Sequence, residues 1–259
     1  MNDPTTNAQA GVEWVHAIVA RRAWGKRRII WKLAPERKLT RSVLSSFINE
    51  CGEKRELRFV KELIKRFRTE LRNDDDLWGN VGYALSVCDE DRDAIQWMSD
   101  WRNRTGVRPW ILSNFAASSR VCERFDDAMA AHQHALTLRH DNTYPQHILW
   151  LAISEIIARD YPAARTRMGE LRRDMLDRFC KTLWALCDVA CKVHESAPEE
   201  RRKTYSEGVK RLGSPINSNL KKDRFLRAIS QRLVTRMARE TGLKLPGMRG
   251  WWFAFVDLF

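Results

Sequence analysis

Glycine and proline are scarce, 12 and 8 among 259 residues. That leaves little material for the tight hairpin turns of all-β folds or for glycine-rich loops that cradle phosphates. No Gly-x-Gly-x-x-Gly, Walker loop, His-Glu-x-x-His or Gly-x-Ser-x-Gly occurs, so the dinucleotide, nucleoside-triphosphate, zinc-protease and serine-hydrolase signatures are missing. Lysine is absent between Lys65 and Lys181, which removes a lysine nucleophile or Schiff base from the centre of the chain. Long apolar runs are missing too. Stretches without a charged side chain, such as residues 143–154, reach only about a dozen residues, whereas a membrane-spanning helix needs about 20. Residues 1–10 lack the basic-then-apolar order of a secretory signal. The six cysteines are scattered through apolar, helical contexts rather than spaced as a disulfide framework. Free thiols, a cytoplasmic location and no membrane span are the expectations.

Apolar residues make up 44% of the chain, enough for a sizeable core. Lys plus Arg number 46 against 33 Asp plus Glu, a net charge of +13. The excess is uneven: residues 1–74 carry +8, residues 75–178 carry −3 and residues 179–259 carry +8. Electrostatic attraction to phosphate would come from the two ends, and the acidic centre needs another role.

Three segments in that centre align on one another: residues 75–108, 109–142 and 145–178, each of 34 residues. Their fourth positions are Trp78, Leu112 and Ile148, and their seventh Val81, Phe115 and Leu151. Small residues recur at the eighth (Gly82, Ala116, Ala152) and twentieth (Ala94, Ala128, Ala164). Two helices approach closely only where a side chain is nearly absent, so small residues at fixed offsets predict tight helix crossings. Asp74 to Asp76, Pro109, Pro145 and Asp160 before Tyr161-Pro162 fall where helix starts are needed. This pattern resembles the tetratricopeptide repeat family, whose unit is two antiparallel helices. The eleventh-position tyrosine of that family is absent here, and His140 stands in place of its closing proline in the second unit.

The flanks also have helical periodicity. Leu57, Val60, Ile64, Phe67 and Leu71 predict one amphipathic helix across residues 55–72 with a basic outer face. Residues 13–31 and 42–50 precede it. Residues 179–194 and 199–212 predict another pair, and 219–240 a last helix with Leu226, Ile229, Leu233 and Met237 on one face. The expected fold is therefore an all-α, right-handed solenoid of antiparallel helix pairs, with a helical region before residue 75 and a capping region after residue 178.

Few residues suggest chemistry. Cys180, Cys187, Cys191 and His194 share a helix face, but the first step of seven residues spans about 10 Å, too far for one ion. Buried structural thiols are the better reading, and neither metal nor cofactor is expected. His132, His134, His140 and His147 have no zinc spacing. Arg21, Arg22, Trp24, Lys26, Arg27 and Arg28 interleave aromatics with cations, as a nucleic-acid surface would, or as a basic helix capping the core would. The apolar end, residues 250–259, either folds back on the last helix or docks on a partner.

The resemblance implies a concave face lined by the first helix of each unit. Carried over by position, that face holds Asn80, Tyr83, Trp110, Asn114, Arg120 and Trp150. Amides at the sixth position (Asn80, Asn114) suit a peptide backbone of any sequence, and tryptophans make low-entropy anchors. The expected function is non-catalytic: a scaffold or adaptor holding a protein or peptide partner. The alternatives are nucleic-acid binding through the basic ends, with Lys221, Lys222, Arg224 and Arg227 joining the residues around Trp24, and service as the regulatory subunit of an enzyme.

Overall fold

A computed structural model of the chain describes residues 41–139, 141–220, 233, 234, 237–239 and 241. The basic-aromatic cluster at Arg21, Arg22, Trp24, Lys26, Arg27 and Arg28, the cations at 221–227, Leu226, Ile229 and the apolar end at 250–259 lie outside the described residues.

Helices account for all the regular structure among the described residues. They are α1 (Arg41–Glu53), α2 (Leu57–Arg66), α3 (Arg68–Asn73), α4 (Asp75–Val87), α5 (Asp91–Trp97), α6 (Pro109–Val121), α7 (Phe125–Ala135), α8 (Tyr144–Ala158), α9 (Tyr161–Gly169), α10 (Arg178–Glu195) and α11 (Arg201–Leu220). The longer helices α1, α4, α6, α8 and α10 begin at residues 41, 75, 109, 144 and 178, so successive starts are 34, 34, 35 and 34 residues apart. None of the described helices is long and apolar enough to cross a membrane.

Two expectations need correction. The single helix across 55–72 is broken at Phe67, whose φ of −119° lies outside the helical range, and the break places Leu71 in the core with no exposed surface. The helix expected to stop at Leu212 runs on as α11 through Pro215 to Leu220. Proline removes one backbone bond and bends a helix without necessarily ending it.

The ends of the helices explain the rhythm. Asp74 caps α4 by accepting from the Asp76 and Leu77 N–H groups at 3.0 Å, and Asp75 and Asp76 follow in the first turn, where the helix dipole favours negative charge. Asp160 and Asp177 cap α9 and α10 in the same way. At the other end, α1, α4, α6 and α8 each close with a residue in the left-handed region: Arg55, Asp89, Glu123 and Arg159, with φ of 55°, 63°, 60° and 69°. Each donates its N–H to the carbonyl three residues back, and the next residue donates to the carbonyl five back, as in Glu123→Arg120 and Arg124→Ser119. This is the Schellman closure, which normally takes glycine. α10 departs from it, ending in extended Ser196 two residues before Pro198.

The chain divides into two compact units, Met1–Ala131 and His132–Phe259. The charge boundaries at 74/75 and 178/179 fall inside them. In the first unit α4 packs on α1 and α6, and α5 packs on both α4 and α6. Phe47, Ile48, Leu63, Trp78, Leu85, Met98, Ile111 and Leu112 are fully buried there. The crossings are close: a Cβ on Gly52 of α1 would sit 3.0 Å from the Ala84 Cα of α4. In the second unit α9 packs on α8 and α10, and α10 packs on α8 and α11. Its core joins Leu149, Ile153, Leu183 and Leu186 with Leu233 and Met237 near the end of the chain. The repeated small residues Ala94, Ala116, Ala128, Ala152 and Ala164 are all buried.

Candidate functional site

In the first unit the expected face is built from α1, α4 and α6. Asn80 of α4 donates from Nδ2 to Ser45 Oγ of α1 at 2.8 Å and is only 8% exposed. Its amide links two neighbouring helices instead of presenting itself to a partner. One turn on, Tyr83 is half-buried, followed by half-buried Ser86, whose Oγ lies 3.5 Å from Asp91 Oδ1. Trp110 and Asn114 of α6 are half-buried as well. Gly79 shapes the seam between the helices: a Cβ there would meet Ile111 Cδ1 at 2.5 Å and the Trp110 ring at 3.0 Å. The missing side chain lets Trp110 lie against α4 with part of its ring at the surface. Tyr83, Trp110 and Asn114 thus form a partly open aromatic and amide face.

Charge is arranged along one end of this face. Arg41 bonds to Asp74 and, at 2.6 Å, to Asp76, which Arg108 also reaches at 3.2 Å. Arg104 pairs with Asp75 at 2.6 Å and Asp100 at 2.9 Å, with its guanidinium 4.2 Å from the centre of the Trp78 ring. Burial alone would raise the Asp74 carboxyl. The Arg41 side chain and the Leu77 and Asp76 N–H groups outweigh burial and hold it below the ordinary carboxylate range. The same balance, with Arg104 and Arg72 opposing burial, lowers Asp100. These arginines are therefore largely neutralised within the fold.

The other expected groove residues lie elsewhere. Arg120 is buried, 7% exposed, near the end of α6. Trp150 of α8 belongs to the second unit and is 2% exposed, with its ring stacked at 6.4 Å on the buried His132. Nearly the whole of α8 from His147 to Ile153 is buried, so its first-helix face is core and not groove. His132 and His147 place Nδ1 against Nδ1 at 2.7 Å, and His147 Nε2 lies 3.3 Å from Thr143 Oγ1, which donates to Asp141.

No family model, curated protein or solved structure matches this chain. Function is therefore read from its own geometry.

The six cysteines are free. Burial pushes the Cys180 thiol up to about 12 and Cys191 to about 11, and drives Cys187 well above its ordinary value. Thiols held in the neutral form are weak nucleophiles and weak ligands. His194, on the same helix, stacks on Tyr161 at 3.9 Å. Among the described residues no group of three His, Cys, Asp or Glu side chains converges on one metal position. A shallow cavity of about 400 Å³ opens beside α5, lined by Arg92, Ile95, Gln96, Ser99, Cys122 and Arg124.

Two groups of residues escaped the sequence reading. Ser45 lies in a frame starting at residue 41 that carries Ile48 and Val60 where the later units carry small residues, and only the 34-residue step back from Asp75 to Arg41 points to it. The clamp made by Arg104, Asp75 and Asp100 joins residues up to 29 apart in sequence, and no local pattern announces it.

Proposed function

We propose that the chain is a non-catalytic scaffold or adaptor whose helix pairs stack within each unit in the manner of tetratricopeptide solenoids, and which holds an extended segment of a partner protein on the Tyr83, Trp110 and Asn114 face. The single observation that carries this reading is the repetition of one construction: long helices starting 34, 34, 35 and 34 residues apart, with four in succession closed by the same left-handed turn. Repetition of a helix pair lays equivalent surfaces side by side, which suits an extended ligand better than a compact one. Tyr83 and Trp110 supply large anchors with few torsions to freeze, and Asn114 offers both a donor and an acceptor to a peptide backbone. The non-catalytic reading is supported by the thiols of α10, which are buried and held neutral.

The test is selection of peptides from a random display library on the full-length protein, with counter-selection on a Tyr83→Ala/Trp110→Ala/Asn114→Ala variant. Peptides that bind the native chain and lose at least about 30-fold in affinity on the variant, a hot-spot loss of about 2 kcal/mol, are the expected result. Selected peptides that bind both proteins equally, or a library that yields none, would remove the reading.

A further inference from the structure

On α2 and the start of α3, Arg58, Lys61, Lys65 and Arg68 follow one another at steps of three, four and three residues, and all four are exposed. That spacing lines Arg58, Lys61 and Lys65 along one side of α2, and Arg68 follows just past the break at Phe67. The buried residues of α2 are Phe59, Val60 and Leu63, which place the line opposite the core. At 1.5 Å per residue Arg58 and Lys65 are about 10 Å apart along α2.

Among the described residues of the first unit, Arg41, Arg55, Arg72, Arg104 and Arg108 pair with aspartates, and Arg66 with Glu62. Lys61 is also held, by Glu90 and Asp93 of α5. Arg58, Lys65 and Arg68 are not. Glu62 stands four residues after Arg58 yet turns to Arg66, and Glu70 makes no ion pair with the line. The line also lacks what a folded protein partner would need at its centre. Large exposed apolar side chains among the described residues are Val121, Phe125, Ile157 and Met175, none of them on α2 or α3.

We infer that Arg58, Lys65 and Arg68 form a contact line for the phosphate backbone of a nucleic acid. Unneutralised cations two turns apart on α2, with a third just past its end and two of the three carrying the forked geometry that matches phosphate oxygens, suit a polyanion. Such contacts release condensed counterions and carry no base specificity. This surface is independent of the peptide face, so either assignment can fail while the other stands.

The experiment measures binding of a fluorescein-labelled, mixed-sequence single-stranded 20-mer to the full-length protein between 50 and 200 mM salt. Three phosphate contacts on a single strand contribute a slope of about −2 to log K against log [salt]. The Arg58→Gln/Lys65→Gln/Arg68→Gln variant should bind more weakly at 50 mM with a slope shallower by about 2. Native protein should then lose roughly 16-fold more affinity than the variant over this range. An Arg58→Lys/Arg68→Lys variant, which keeps the charge, should keep the native slope and guards against an effect of misfolding. Three results would overturn the inference: no binding by the native chain, an unchanged slope in the glutamine variant, or equal competition by poly-glutamate, which would make the acceptor an acidic polypeptide.

Discussion

Arg55 and Asp89 stand 34 positions apart, share a left-handed backbone, and pair Nη1 to Oδ2 at 2.9 Å. Both side chains are well exposed, at 65% and 76%, so the ion pair itself contributes little, on the order of 1 kcal/mol or less. Its significance is positional. The pair joins two equivalent turns, the ends of α1 and α4, and thereby links neighbouring copies of one construction.

Those turns are strained by composition. Four non-glycine residues hold a conformation that costs an L-residue roughly 1–2 kcal/mol. Glu123→Gly and Arg159→Gly are each expected to stabilise the protein by about 1 kcal/mol, since the backbone bonds that close these turns do not depend on either side chain. Urea denaturation would report it. Destabilisation by more than about 0.5 kcal/mol at both sites would mean that the backbone there is not left-handed.

Trp78 and Trp97 exchange hydrogen bonds, each indole N–H donating to the other's backbone carbonyl at 3.0 and 2.9 Å. The double bond fixes α5 against α4. Trp78→Phe keeps most of the buried ring but removes the shorter of two bonds to the Trp97 carbonyl, leaving Arg72 Nη1 at 3.4 Å, with an expected cost of about 1 kcal/mol; Trp78→Ala adds a cavity and should cost about 3–5 kcal/mol. A phenylalanine variant as stable as the native protein would contradict the reciprocal geometry.

Acid should weaken the second unit through Arg165, which bonds Asp188 at 2.7 Å and Glu195 at 2.7 Å. The Arg165 side chain lowers the Glu195 carboxyl against a smaller effect of burial. Asp188 is lowered as well: burial raises it, and Lys192 and Arg165 together outweigh burial. A carboxyl lowered by folding stabilises the native state at pH values above its unfolded pKa, near 4, and that stability is lost as pH falls through the folded value. Melting temperature should therefore be flat from pH 7 to about 5 and drop below that. In Asp188→Asn the drop should be shallower, with a lower starting point at pH 7. A drop of native steepness in that variant would assign the acid sensitivity to other groups.

Much of the architecture was legible because it is local. Asp74, Pro109 and Asp160 mark helix starts through their own backbone chemistry, and the small residues at Gly82, Ala116 and Ala152 mark helix crossings. The left-handed closures were invisible: Arg55, Asp89, Glu123 and Arg159 carry none of the glycine signal on which such turns are recognised. The exposure of the expected face was less legible. Position along the 34-residue spacing picks out Tyr83, Trp110 and Asn114, which are half-buried, but whether a position faces solvent depends on what the next helix places over it. Ser45 reaches Asn80, and His132 covers Trp150. Neither event can be read from the spacing of one helix.

The most direct measurement is oxidative footprinting of the tryptophans and tyrosines in the native protein, read by mass spectrometry. Tyr83 and Trp110 should be oxidised readily and become protected when a selected peptide binds. Trp78, Trp97, Trp101 and Trp150, each 6% exposed or less, should resist oxidation with or without peptide. Fast oxidation of Trp150, or a Trp110 already protected in the free protein, would contradict the assignment of an open face on α4 and α6 and a closed one on α8.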